Sequence, residues 1–263
     1  MNRIHKTFQE KKNNILSIFF TAGFPRLNDA PLIAAALEKY GADIIEIGIP
    51  FSDPVADGPT IQASNKIALD NGMNLKLLLS QVREIRKQVS IPIILMGYLN
   101  PVMQYGMEKF ARDASEAGVD GLILPDMPMD VFQHEYKDLF QKYGLANTFL
   151  ISPTTSDERI RKIDALTSGF VYAVSSSSTT GAKGEFADEQ IKYFEKLKGM
   201  ELKNPFLIGF GISSQKTFDI AASYCSGAIV GSAFINLLKE SKDMKKDIEK
   251  FINSIKGGVE VSI

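Results

Sequence analysis

With one cysteine, two histidines and a net charge of -1, the chain is short of the residues that mark several large protein classes. Cys225 alone cannot close an intramolecular disulfide, which sets aside the small cross-linked secreted folds. Basic residues are not gathered into a block, so neither nucleic acid nor an anionic membrane surface is indicated as a partner. No apolar run reaches membrane-spanning length and no signal peptide is evident, which leads to the expectation of a cytoplasmic protein. His5 and His134 fall in separate helical patterns with no cysteine or second histidine near them, so no metal site is expected.

What is present is an ordinary globular composition, 44% hydrophobic and 23% charged over 263 residues. That length suits either two small domains or one large α/β barrel, which runs to about 250 residues. Short apolar runs predict eight strands: Leu16–Thr21, Ile44–Gly48, Ile91–Met96, Gly121–Leu124, Ala146–Ile151, Gly169–Val174, Phe206–Gly209 and Ala228–Val230. Helical patterns alternate with them, at Asp29–Tyr40, Leu75–Gln88, Met107–Ala117, Val131–Tyr143, Ser156–Leu166, Asp188–Leu197, Gln215–Ser223 and Phe234–Ile255. An extra helix over Ile4–Lys11 precedes the first strand, placed to close the bottom of a barrel. No linker breaks the rhythm, so residues 1–263 read as a single domain. Eight strand–helix units favour an α/β fold of the (β/α)8 TIM-barrel kind. The rival, a doubly wound open sheet, often carries a Gly-x-Gly-x-x-Gly turn after its first strand, and Thr21-Ala22-Gly23-Phe24-Pro25 supplies none.

Barrel chemistry belongs at the C-terminal ends of the strands. Glu46 stands out there, one acid within Asp43-Ile44-Ile45-Glu46-Ile47-Gly48-Ile49, because an ionised carboxylate buried without a partner costs several kcal/mol, roughly. It is either a structural pair or a working group. A long loop from Pro50 to Thr60 follows, with three prolines, Asp53, Asp57 and Gly58. A second long loop, Ser175 to Ala187, has the Ser, Thr and Gly content of a mobile flap. After the last two strands come Gly209-Phe210-Gly211-Ile212-Ser213 and Val230-Gly231-Ser232-Ala233, and with Thr180-Gly181 these could cradle a phosphate on backbone N–H groups.

The segment Glu46-Ile47-Gly48-Ile49-Pro50-Phe51-Ser52-Asp53-Pro54, running into Ala56-Asp57-Gly58-Pro59-Thr60-Ile61-Gln62, resembles the signature of the tryptophan synthase α-subunit family. Thr180-Gly181, Gly209 to Ser213 and Gly231-Ser232-Ala233 extend the likeness over essentially the whole chain. The resemblance implies a TIM barrel that cleaves indole-3-glycerol phosphate to indole and glyceraldehyde 3-phosphate. It also implies an αββα assembly in which indole passes to a β subunit. Pyridoxal phosphate is expected only in that β subunit, and no cofactor in this chain.

By the same resemblance Glu46 is the catalytic acid/base and Asp57 the second catalytic carboxylate. Tyr172 lies close to the reacting glycerol chain, Phe210 packs on the indole ring, and Phe19 and Met96 form further walls. Thr180, Gly181, Gly211, Gly231 and Ser232 bind phosphate, while Asp53 and Asn100 face the β subunit. The sixth loop departs from the family: Ser176 and Ser178 stand where relatives often have arginine and glycine.

Aldol cleavage needs an electron sink, usually a lysine Schiff base or a metal. No lysine or histidine falls at a predicted strand end, but an indole protonated at C3 becomes its own sink. The protein must then supply proton transfer, for which Glu46, its pKa raised, and an ionised Asp57 are suited. A sugar-phosphate epimerase or Schiff-base aldolase would want the missing histidines or lysine. A free-standing indole-releasing lyase and a non-catalytic phosphate-binding subunit remain as alternatives, the latter giving no reason for a buried acid.

Overall fold

The computed structural model describes residues 2–175 and 186–257. Nine strands form one sheet: β1 (Ile15–Thr21), β2 (Ile44–Gly48), β3 (Ile93–Met96), β4 (Gly121–Ile123), β5 (Ala146–Thr148), β6 (Leu150–Ile151), β7 (Val171–Val174), β8 (Phe206–Gly209) and β9 (Gly227–Val230). Their order is β5-β4-β3-β2-β1-β9-β8-β7-β6, with every pair parallel. The two ends of that order are halves of one stave. Only Phe149 separates β5, which pairs with β4, from β6, which pairs with β7. Its carbonyl accepts the Tyr172 N–H at 2.9 Å. The predicted strand Ala146–Ile151 thus turns between its two neighbours and carries the barrel round.

Period-two alternation builds two apolar layers on these strands. Ile15, Ile44, Ile94, Ile123, Phe170, Leu207 and Ile229 form the inner cluster, while Leu16, Ile18, Ile45, Ile47, Ile93 and Leu95 pack outward in the larger one. The leading helix, Arg3–Glu10, closes the floor by inserting Ile4 into the inner cluster. Gly121 makes room for it, since a Cβ there would lie 2.8 Å from Ile4 Cδ1. Arg3 and Arg86 both bond to buried Asp120, at 2.9 and 2.8 Å, tying that helix to the barrel.

Four helical stretches differ from the sequence pattern. Pro59–Asp70 is a helix that periodicity does not reveal, because its buried face carries Ser64 and Asn65 beside Ala68. Ser64 docks that helix on β1 through a 2.7 Å bond to Thr21. Leu99–Tyr105 is a second, only seven residues long with Pro101 inside it. The predicted Val131–Tyr143 helix is three pieces, with a π turn at Phe132–Tyr136 that sets Phe132 edge-on to both Phe140 and Phe149. Phe234–Ile255 divides into Ser232–Glu240 and Met244–Lys256, because Asp247 gathers the Ser241 hydroxyl and the N–H groups of Lys242 and Asp243 at the break. No helix among the described residues is long and apolar enough to cross a membrane.

Candidate active site

On β2 the alternation sends Ile45 and Ile47 outward, and Glu46 and Gly48 into the barrel. Parallel register sets Glu46 level with Phe19 on β1 and Ile94 on β3. The carboxyl is fully buried. Its Oε1 accepts a 2.7 Å bond from Ser17 Oγ, and Oε2 has no partner among the described residues. Burial pushes its pKa up to about 7, against the lowering effect of the Ser17 hydroxyl. The partner that β1 supplies to Glu46 is a neutral hydroxyl, which leaves the carboxyl without a compensating charge from that strand.

Two glycines let aromatic rings lie across the inner face. A Cβ at Gly48 would stand 2.6 Å from Phe19 Cζ, and one at Gly209 would fall on the ring and hydroxyl of Tyr172. Gly209→Ala is therefore expected to destabilise the protein by about 1–3 kcal/mol, as overpacked cores do. Urea unfolding checks this, and an unchanged midpoint would mean the Tyr172 ring has room to move. Tyr172 meets Phe210 edge-on at 6.3 Å, and burial followed by the charges of Glu46 and Asp57 drives its hydroxyl pKa well upward. Phe210 and Gly211 both take left-handed backbone, φ 68° and 77°. The uncommon conformation at Phe210 is held by the Ser175 hydroxyl, which donates to its carbonyl at 2.8 Å.

Asp57 ends the loop after β2, just before Gly58 and Pro59 start a helix. Asn65, one of the two buried polar residues of that helix, donates to Asp57 Oδ2 at 3.4 Å, and the Tyr98 hydroxyl bonds to the same side chain. Tyr98 also accepts the Ala56 N–H at 3.0 Å, so it anchors the loop at two points. Burial raises the Asp57 pKa to about 6, offset in part by Tyr98 and Asn65. Burial and the Asp57 charge in turn push Tyr98 up to about 12. A cleft of about 300 Å³ opens beside Asp57, walled by Phe19, Met96, Ile61, Gly97, Tyr98 and Pro125 among others.

The two glycine turns differ in what they leave free. Behind Gly211, the helix Gln215–Tyr224 is closed by its own capping box, Ser214 with Thr217. Behind Gly231, the helix Ser232–Glu240 has no side-chain cap among the described residues, which leaves the N–H groups at its start without a side-chain acceptor there. Gly231 sits beside Phe19, within 3.8 Å of its Cβ measured from a Cβ position on the glycine. Thr180 and Gly181, like Ser176 and Ser178, lie outside the described residues, as does most of the predicted flap. Asp53 and Asn100 are both exposed, near the exposed apolar side chains Val55 and Met103 in sequence. His5 and His134 are exposed and bonded to the carbonyls of Ser168 and Asp130.

The structure thus brings Phe19, Met96 and Asp57 to one cleft. Glu46 lies at the level of Phe19, and Tyr172 and Phe210 meet across β7 and β8. Ser17, Asn65 and Tyr98 were not singled out from the sequence. For Tyr98 a signal existed, its place two residues past a strand end; for Ser17 none did, since its partner lies on a different strand 29 positions away, and for Asn65 none did, since the helix that turns it back onto Asp57 is not visible in the apolar pattern.

The model for the tryptophan synthase alpha chain matches residues 5–261. The chain belongs to that family. The tryptophan synthase alpha chain of Flavobacterium johnsoniae is 55% identical over 256 residues, covering 97% of this chain and 100% of the relative. That of Parabacteroides distasonis is 52% identical with the same coverage. Among solved structures, the crystal structure of the tryptophan synthase alpha chain from Legionella pneumophila superposes with a TM-score of 0.88 at 36% identity, over 100% of both chains. The family's fold is the TIM barrel described above, and its members are lyases of tryptophan biosynthesis.

Proposed function

We propose that this chain cleaves indole-3-glycerol phosphate to indole and glyceraldehyde 3-phosphate, with Glu46 and Asp57 as its two catalytic carboxylates. The observation that carries the reading is the unequal burial of two acids whose charges both act on Tyr172. Glu46, wholly enclosed and with one oxygen unpartnered among the described residues, holds a proton near neutrality; Asp57, partly open and hydrogen-bonded, loses its own sooner.

Glu46 delivers its proton to C3 of the indole, turning the ring into an iminium. The carbon–carbon bond then breaks, its electron pair returning to the ring, while the hydroxyl proton of the glycerol carbon passes to the Glu46 carboxylate. Indole and the aldehyde result, and Glu46 ends protonated as it began. Asp57 accepts the indole N–H and stabilises the positive charge that develops there. Tyr172 flanks the glycerol chain, Phe210 packs on the ring, and Phe19 and Met96 wall the cleft. Gly211, Gly231 and Ser232, with Thr180 and Gly181, hold the phosphate, aided by the uncapped helix start at Ser232.

The same reading gives the chain a β-subunit partner in an αββα assembly, met by the surface around Asp53 and Asn100. A tryptophan synthase from Mycobacterium tuberculosis in an aminoacrylate-bound form superposes on this chain with a TM-score of 0.86 at 29% identity, covering 98% of this chain and 100% of that one, which supports placing it in such an enzyme. Pyridoxal phosphate belongs to the β subunit, and cytoplasmic location follows from the biosynthetic role. Mixing pure protein with indole-3-glycerol phosphate and following indole, with and without a β subunit, tests the reading. Release of indole is expected in both, faster with the partner; none in either would overturn it.

Because Asp57 must be ionised and Glu46 protonated, kcat/KM should be bell-shaped in pH. The acid limb falls as Asp57 gains its proton near 6, the alkaline limb as Glu46 loses its proton near 7. Initial rates at low substrate between pH 5 and 9 check this.

A further inference from the structure

Ser17 reaches Glu46 from the neighbouring strand, and the register explains how. Ser17 is level with Ile44 and Phe19 with Glu46, so Ser17 stands one inward step nearer the barrel floor than the acid it touches. Both residues are fully buried, and the 2.7 Å bond runs from Ser17 Oγ to Oε1. We propose that Ser17 is a positioning residue for the cleavage, occupying Oε1 so that the transferable proton resides on Oε2. This rests on the assignment of Glu46 as the acid.

The chemistry follows from donor and acceptor capacity. A protonated carboxyl has one carbonyl-type oxygen and one hydroxyl oxygen. Donation by Ser17 favours the carbonyl form at Oε1, which leaves the O–H at Oε2, the oxygen without a partner among the described residues. An apolar residue at position 17 would leave both oxygens without a bond, and the proton free to sit on the wrong one. Once Glu46 has delivered its proton, the same hydroxyl stabilises the carboxylate that must then take the glycerol proton. Ser17 therefore serves both halves of the cycle.

The groups facing Glu46 are few. Phe19 on β1 and Ile94 on β3 lie level with it and do not ionise, and neither do Leu207 and Ile229 of the same inner layer. Tyr172 on β7 does, but its raised pKa keeps it neutral through the working range, and Asp57 acts on Tyr172 from the loop side. Among the described residues, a change in the Glu46 titration on altering position 17 is thus attributable to the lost hydroxyl.

Ser17→Ala and Ser17→Thr, in the full chain, test the proposal beside Glu46→Gln in the same assay. Ser17→Ala is expected to lower kcat about tenfold with little change in KM. It should move the alkaline limb of kcat/KM upward by about one pH unit, because a bond that favoured the carboxylate is gone. Ser17→Thr, which keeps the hydroxyl, should restore both to near the parent. Carbon-13 NMR of glutamate-labelled protein reads the same shift at Glu46 without any turnover. If Ser17→Ala leaves the titration and kcat unmoved while Glu46→Gln is inactive, the role of Ser17 is overturned and the acid assignment stands. An active Glu46→Gln overturns the acid assignment itself. Should Ser17→Ala fail to fold, Ser17→Cys, a weaker donor of similar size, takes the same comparison.

Discussion

Glu46→Gln is expected to cost at least about two orders of magnitude in turnover, within the usual range for a lost acid–base group. It should also change how stability depends on pH. Glutamine keeps the volume of the side chain and can still accept the Ser17 hydroxyl, so the barrel should fold, but it has no proton to give to C3. The folded pKa of Glu46 is raised from 4.5 to about 7, so the folded state binds more protons than the unfolded one between those values. Stability from this group is complete below 4.5 and is lost as pH rises through about 7. Between pH 5 and 8 that amounts to about 2 to 3 kcal/mol lost by the parent and not by the variant. The glutamine N–H group left in place of Oε2 costs about 1–3 kcal/mol at every pH. Glu46→Gln should therefore be the less stable protein at pH 5 and draw level with or pass the parent at pH 8. Urea unfolding at the two values checks this. A stability difference that does not change with pH, or near-normal turnover, would sink the assignment.

Asp57→Asn should likewise lose about two orders of magnitude in turnover, for a different reason. Asparagine can still meet Asn65 and Tyr98, so the loop before Pro59 should keep its place. What disappears is the negative charge beside the indole nitrogen, and with it the stabilisation of the iminium. The loss should fall on kcat more than on KM, since that charge matters only once the ring is protonated. The acid limb of the kcat/KM profile, assigned to Asp57 near 6, should vanish as well. Rapid-quench measurement of indole formation over pH 5 to 9 separates these effects. An acid limb that survives in Asp57→Asn would assign that limb to another group, and unimpaired turnover would remove Asp57 from the mechanism.

Particular residues show how far the chain could be read before its fold was known. The burial of Glu46 was legible because its isoleucine neighbours mark a strand enclosed on both faces. The strands were legible because period-two and apolar-run signals are local. The Pro59–Asp70 helix was not, because its buried face is built of Ser64 and Asn65, which answer to Thr21 and Asp57 rather than to an apolar core. The break at Ser241 to Asp243 was hidden because both helices around it bury apolar residues and the pattern runs on through the gap.

The two glycine turns make the same point. In sequence, Gly211-Ile212-Ser213 and Gly231-Ser232-Ala233 look equivalent as phosphate cradles. In the structure one leads into a helix closed by Ser214 and Thr217, the other into a helix start left open.

By itself the sequence determined the repeating strand–helix order and the family, and it pointed to Glu46 and Asp57 as the acids to propose, because these reside in residue type and short-range spacing. The tertiary structure decided which oxygen of Glu46 is held, how far each acid is shielded from water, and that Ser17, Asn65 and Tyr98 surround them. Those quantities depend on which strands become neighbours, and a hydroxyl 29 positions away in the chain meets Glu46 only after β1 and β2 have paired in register.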